Sequence, residues 1–344
     1  MNEKIKLTEY SKGSGCGCKI APAVLQQVLK GNQSFSDSKL LIGYESGDDA
    51  AVYDSGNDQL IISTTDFFTP IVNNAYDFGR IAAANAISDV YAMGGKPLMA
   101  LAVLGWPVEK IPVQIANEVM EGARTICTQA EIVLAGGHSI EITEPVFGLC
   151  VTGLVSRQHL KRNNTAKPGD FLFVTKPLGS GILASALKRG LLKENLQSEL
   201  IRRLTQINSA GAVLGRIEGV TAMTDVTGFG LLGHLTEMTG QQNLTAEIRK
   251  VDIPKLSGVE EYMGQMIYPE NTTRNYTAFS SRTSGMRDLE FLLYCDPQTN
   301  GGLMFSVSPQ AVDRVKKLLH EQEQEFWMIG QMKEFQNHSV EFIE

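Results

Sequence analysis

The segment that most constrains the fold runs from Phe78 to Met93. It reads as an alanine-rich helix stopped by Gly94-Gly95 and Pro97, with Ile81, Ala82, Ala83, Ala84, Ala86 and Ile87 around one carboxylate, Asp89. The C-terminal half of a helix disfavours negative charge. A carboxylate on an apolar helix is costly to desolvate unless something positive meets it. Asn85 lies one turn earlier on the same face and adds a polar contact.

Three more aspartates sit in equally awkward places. Asp49 opens an apolar strand, Asp66 closes one beside Phe67 and Phe68, and Asp225 ends Ala222-Met223-Thr224 just before a glycine-rich turn. No Lys or Arg in these segments matches them, which points to divalent cations. Carboxylate oxygens suit a hard ion such as Mg²⁺, which usually bridges protein carboxylates to phosphates. One aspartate alone is better read as a turn or cap residue, and Asp48 beside Asp49 has that character. Four of them at element ends favour a shared site.

Gly136-Gly137-His138-Ser139 follows a strand and Gly228-Phe229-Gly230 opens a helix, and backbone N–H groups at such turns cradle phosphates. Walker and Rossmann glycine patterns are missing, so an ordinary nucleotide fold is not expected. His138 reads as a phosphate or backbone contact, since no Cys/His set with zinc spacing accompanies it. His234 reads as a satisfied core histidine.

The N-terminal stretch Gly15-Cys16-Gly17-Cys18-Lys19 places two thiols and an ammonium within five residues. A neighbouring Lys favours the thiolate, the nucleophilic and metal-binding form. Gly13, Gly15 and Gly17 make the segment pliable, suited to folding over something anionic. Cys127, Cys150 and Cys295 lie in or beside apolar stretches and read as small core residues.

The chain has 344 residues, 43% hydrophobic, enough for two domains, with a net charge of -7. That balance argues against broad nucleic-acid or anionic-membrane binding. No apolar run has the length of a membrane span, the opening Met1 to Lys6 lacks a signal-peptide core, and five scattered cysteines do not form a secreted disulfide framework. A reducing, cytoplasmic setting is expected. Strands and helices alternate in both halves, which argues for α/β or α+β domains. The polar linker from Ser156 to Asp170 divides them. The expected units are a mobile glycine-rich segment at 1–19, an N-terminal domain at 20–156 and a C-terminal α+β domain at 157–344.

Taken together, Gly13-Ser14-Gly15-Cys16-Gly17-Cys18-Lys19, Gly47-Asp48-Asp49-Ala50, Thr64-Thr65-Asp66-Phe67-Phe68, Asn85 to Gly95, Ala135 to Ser139, Thr224 to Gly230 and Cys295-Asp296-Pro297-Gln298-Thr299 resemble the selenophosphate synthetase family over nearly the whole chain. The aspartate and glycine elements are shared with the wider aminoimidazole-ribonucleotide-synthetase-like superfamily of ATP-using enzymes, and the Cys-Gly-Cys-Lys segment marks the selenium branch. Asn300 departs from the Ser expected before Gly301-Gly302.

The resemblance implies a two-domain α/β and α+β fold whose N-terminal domains pair into a shared β-barrel in a homodimer. The ATP site would lie in a cleft between domains, with part supplied by the partner. The implied reaction converts ATP, selenide and water into selenophosphate, AMP and phosphate. Asp49, Asp89 and Asp225 would hold Mg²⁺. Lys19, Ser46, Gly47, Asp48, Asp66, Asp89, Gly137, His138 and Ser139 would contact ATP, while Cys16 and Lys19 would be catalytic. A selenium-delivery protein is a further expected partner, with no nucleic acid or membrane. Three alternatives stay open: a related kinase or synthetase acting on another small nucleophile, a non-catalytic nucleotide-sensing dimer, and a redox or metal-binding Cys16/Cys18 pair on an unrelated domain.

Overall fold

In the computed structural model, residues 5–18, 24, 27–28, 37–43, 47–56, 58–240 and 242–344 are described. Two sheets organise them. The first comprises β1 (Leu40–Ile42), β2 (Ala51–Asp54), β3 (Gln59–Phe68), β4 (Lys96–Trp106), β5 (Val133–Glu141) and β6 (Val146–Ser156), in the order β1-β2-β3-β6-β4-β5. Its neighbours are antiparallel except the parallel β4–β5 pair. Strand β3 pairs with β6 along its whole length, from Gln59 opposite Ser156 to Phe68 opposite Phe147. Its alternation sends Leu60, Ile62, Thr64 and Phe68 inward.

Helix α1 (Ala75–Ala92) lies against this sheet, and the side chain of Asn74 caps its start by accepting from the Asp77 N–H at 2.8 Å. Fifteen of its eighteen residues are buried, as an all-round apolar pattern requires. Helix α2 (Val113–Gln129) packs on it so closely that a Cβ on Gly79 would stand 1.8 Å from the Val119 carbonyl oxygen, and one on Gly122 2.0 Å from that of Tyr76. Only glycine permits that approach.

The second sheet contains β7 (Phe171–Val174), β8 (Val220–Asp225), β9 (Leu244–Arg249), β10 (Thr283–Ser284), β11 (Leu303–Val307), β12 (Trp327–Glu334) and β13 (Val340–Ile343), ordered β10-β13-β9-β12-β7-β11-β8. Phe173 of β7 stacks on Phe305 of β11 with ring centroids 5.4 Å apart. Around it lie α3 (Ser180–Lys188), α4 (Glu194–Thr205), α5 (Ala210–Leu214), α6 (Gly230–Gly240), α7 (Val259–Gly264), α8 (Glu270–Phe279), α9 (Glu290–Tyr294) and α10 (Val312–Glu321). Helix α1 also touches α4, α5 and β8, so it is shared by both halves.

Three sequence expectations change. The single helix expected over Leu200–Leu214 is two, α4 and α5, separated by Gln206 to Ser209. Gly136-Gly137 does not end a strand but lies within β5, extended at φ 155° and 154°. Asp66 lies inside β3 rather than closing it.

The loop between α9 and β11 anchors the start of α3. Gln298 Oε1 accepts from the Gly179 and Ser180 N–H groups at 3.1 Å each, and Asp296 Oδ2 accepts from the Gly181 N–H at 3.0 Å. Asp296 is fully buried, and desolvation pushes its carboxyl up to about 8, opposed by hydrogen bonds from Ile182, Gln298 and Gly181. Its unfolded value is near 3.8, so between about pH 4 and 8 the folded state binds the extra proton. Stability from this group is therefore present at low pH and lost as pH rises towards 8. Urea unfolding at pH 5 and pH 8 should show a smaller loss across this interval in Asp296→Asn than in the native chain. Parallel losses would contradict the assignment.

Candidate functional site

The polar stripe of α1, Asn85, Ser88 and Asp89, is where the two halves meet. Asn85 and Asp89 engage β3, and Ser88 engages the second half of the chain. Thr64 of β3 donates its hydroxyl to Asp89 Oδ2 at 2.5 Å. Asn85 Nδ2 donates to Asp66 Oδ2, also on β3. Ser88 Oγ donates to Asp225 Oδ2 at the end of β8, and itself accepts from Asn208 Nδ2 at 2.7 Å. Thr224 Oγ1 donates to Asp49 Oδ1 at 2.7 Å. Four carboxylates from four separate segments thus gather around one helix face.

Their mutual repulsion is visible in Asp49. Desolvation, followed by the charges of Asp225 and Asp89, pushes its carboxyl well above the usual range. Among the described residues, Asp49 Oδ2 is buried without a hydrogen-bond partner. A positive ligand would relieve both features. Among the described residues no three His, Cys, Asp or Glu groups form a ready-made metal cage. Carboxylate oxygens are the donors a hard cation such as Mg²⁺ takes, together with phosphate and water.

Cys16 lies beside this cluster. Its turn, Gly15–Cys18, opens with Gly15 at φ +52°, where a Cβ would stand 2.5 Å from Thr299 Oγ1 and 2.7 Å from Ile71 Cδ1. Both the backbone conformation and the space call for glycine. The Cys16 N–H donates to Thr299 Oγ1 at 2.9 Å, and its thiol donates to Asn85 Oδ1 at 3.4 Å. The Asn300 N–H donates to the same oxygen at 2.7 Å. Asn85 therefore presents its oxygen to the thiol and its nitrogen to Asp66, an orientation fixed by its partners. Cys16 is only 1% exposed.

Lys176, just beyond β7, supports this arrangement from behind. Its ammonium donates to the Gln206 carbonyl at 2.7 Å and the Asn300 carbonyl at 2.9 Å. Burial pushes it down to about 7; the charge of Asp225 opposes that shift and Arg203 adds to it.

Not every expected residue joins the cluster. Asp48 turns to the interdomain linker, where Arg162 Nε and Nη2 donate to its Oδ2 at 3.2 Å each and the Asn163 N–H to its Oδ1 at 2.9 Å. The Gly47 carbonyl accepts from Asn163 Nδ2 at 2.7 Å. Gly137, His138 and Ser139 line a separate pocket of about 290 Å³ with Arg124 and Met120. His138 is three strands from Phe67 in one register row, through Val103 and Gly148, or about 14 Å at the usual strand spacing. Lys19 and Ser46 lie outside the described residues. His234 is a buried core histidine, as expected, with Nε2 accepting from the Thr227 N–H at 3.0 Å and Nδ1 facing Glu237 Oε2 at 3.0 Å, although Nδ1 makes no hydrogen bond among the described residues.

Residues 47–155 match the family described as AIR synthase related protein, N-terminal domain, and residues 167–343 its C-terminal domain. Selenide, water dikinase from Photorhabdus laumondii subsp. laumondii is 50% identical over 341 residues, 99% of this chain and 98% of that protein. Its counterpart from Salmonella typhi is 53% identical over 334 residues, 96% of each. The chain belongs to the selenide, water dikinase family. The fold is also that of thiamine-monophosphate kinase from Stenotrophomonas maltophilia K279a, with a TM-score of 0.65 at 19% identity over 94% of this chain and 96% of that one. The two-domain aminoimidazole-ribonucleotide-synthetase-like architecture expected from the sequence is borne out.

In this member of the selenide, water dikinase family, residues that sequence reasoning missed complete the cluster. Thr64, Ser88, Asn208, Thr224 and Lys176 donate to the cluster or to its supports. Ser88 had a signal, three residues after Asn85 on the same helix face. Thr299 and Thr224 fall inside motifs already quoted but carry no charge to mark them. Lys176 looks like an ordinary surface lysine until β7 buries it.

Thr299→Val keeps the shape of the Cys16 seat but removes the side-chain acceptor of its N–H, a loss of about 1–3 kcal/mol. Hydrogen exchange at the Cys16 amide should accelerate by about fivefold or more. An unchanged rate would show that Thr299 does not hold the turn.

Proposed function

We propose that this chain makes selenophosphate, converting ATP, selenide and water into selenophosphate, AMP and phosphate. The observation that carries the reading is the thiol of Cys16 seated against Asn85, one hydrogen bond from Asp66 and beside the carboxylate cluster. A sulfur group next to a cation-seeking site is what a reaction joining selenium to a phosphoryl group needs. The names of the relatives support the same reaction.

Asp49, Asp89 and Asp225 would hold Mg²⁺, with the orphaned Asp49 oxygen as the best reason to place it there. The ion would neutralise phosphate charge during transfer. The protein's own contribution is positioning, which dominates phosphoryl transfer. Thr64, Ser88 and Thr224 fix the carboxylates by donating to them. Asp66 and Asp89 would face the nucleotide, with Lys19, Ser46, Gly47 and Asp48 completing the contact. Asp48 would act through the loop it ties to Arg162. Cys16 would hold or deliver selenium as its thiolate. Burial of the seat would exclude water from the first transfer, in which selenide takes the γ-phosphoryl group. Water then takes the β-phosphoryl group of the ADP left behind, giving AMP and phosphate.

Gly137, His138 and Ser139 fit this scheme in a homodimer, where the same residues of a second copy would reach the site. The outer face of the first sheet supports pairing, since Leu98, Leu101, Val133 and Ile140 are exposed on β4 and β5 at 52%, 40%, 64% and 56%. Among the described residues no helix is long and apolar enough to cross a membrane. We place the enzyme in the cytoplasm, with a selenium-delivery protein as its donor.

Two variants separate the roles. Cys16→Ser should abolish selenide-dependent AMP formation by more than about 100-fold while calorimetry shows unchanged Mg²⁺-ATP binding, since only the transfer chemistry is removed. Asp49→Ala should instead weaken Mg²⁺-ATP binding itself, by about tenfold or more, because phosphate charge is left uncompensated. Full turnover in the first or native affinity in the second would refute the corresponding role.

A further inference from the structure

Cys16 rides on a segment, residues 5–18, that is fixed at both ends. At the start, Leu7 is fully buried and Thr8 Oγ1 donates to Asn73 Oδ1 at 2.5 Å. At the end, Cys16 is pinned by Thr299. The stretch between them, Ser11-Lys12-Gly13, crosses the C-terminal end of α3. There the ammonium of Lys188 donates to three consecutive carbonyls, Ser11 at 2.7 Å, Lys12 at 2.9 Å and Gly13 at 2.7 Å. An ammonium has three N–H donors, so this one group can serve all three oxygens. The helix that carries Lys188 starts on Asp296 and Gln298, in the same loop that carries Thr299. One rigid unit, α3 with residues 296–300, therefore grips the segment at two points on either side of Ser14.

We propose that Lys188 is a positioning residue for Cys16, a carbonyl clamp that keeps the thiol in its seat against Asn85. Side chains play no part on the segment's side of the contact. The clamp reads the curvature of the backbone, three carbonyls turned toward one point. The bonds to a charged donor are stronger than neutral ones. The clamp sets the balance between a seated thiol and an open segment that admits substrate. Only the kinetic consequence rests on the reaction proposed above; the seating itself does not.

The test uses the full-length protein and site-resolved alkylation by iodoacetamide, read by peptide mass spectrometry. In Lys188→Met, Cys16 should be alkylated about tenfold faster, which corresponds to ~1.4 kcal/mol, the lower end for hydrogen bonds to a charged group. Buried Cys127 and Cys295 should keep their native rates. Lys188→Arg restores a cationic donor and should recover most of the protection. Selenide-dependent AMP formation should fall in Lys188→Met in parallel with the loss of protection, with Mg²⁺-ATP affinity unchanged. Native protection of Cys16 in Lys188→Met would overturn the clamp. So would equal acceleration at Cys127 and Cys295, which would mean general loosening. A native enzyme that forms no AMP with selenide would refute the reaction and leave the alkylation result standing.

Discussion

The structure depends on the desolvation of Asp89 and its neighbours at the junction of the two sheets. A helix apolar on every face has to be buried, and this one takes Asn85, Ser88 and Asp89 inside with it. Buried polar groups are tolerated only when they are hydrogen-bonded. The partners come from both halves of the chain: Thr64 and Asp66 from the first sheet, Asp225 from the second and Asn208 from the link between α4 and α5. The demand for satisfaction thereby aligns the domains and, in the same act, gathers the carboxylates.

The gathering leaves a surplus of negative charge. Asp49 shows it most clearly, with its carboxyl pushed up and one oxygen unpartnered. Lys176 offsets part of the surplus near Asp225, but its ammonium is committed to the carbonyls of Gln206 and Asn300. A nucleotide arriving with its cation would relieve the repulsion felt at Asp49. Cys16 is tied to the same network through Asn85, so the thiol and the carboxylates share a single scaffold rather than two adjacent ones.

Much of this was legible in the residues. The apolar helix, the four aspartates and the thiol segment each break a local rule, and the structure brings Cys16, Asp49, Asp66, Asp89 and Asp225 together. What escaped was set by tertiary demand. The break between α4 and α5 has no strong sequence mark; the Gln206 carbonyl there is occupied by Lys176 and by Asn300 Nδ2, which a continuing helix would have contested. Gly136-Gly137 looks like a turn, yet a Cβ on Gly137 would stand 2.1 Å from the Ala102 carbonyl oxygen, so glycine serves close strand pairing there. The uncharged donors Thr64, Ser88, Thr224 and Thr299 carry no pattern of their own, because a hydroxyl becomes informative only when its acceptor is known.

Asn85 joins the thiol to the carboxylate site. Phosphorus NMR of the native enzyme and Asn85→Ala, each with Mg²⁺-ATP and selenide, tests it most directly. The native enzyme should give selenophosphate and AMP signals, and the variant should lose about 100-fold or more, as for removal of a group that orients reacting partners. Selenophosphate formation at the native rate by a folded Asn85→Ala enzyme would contradict it.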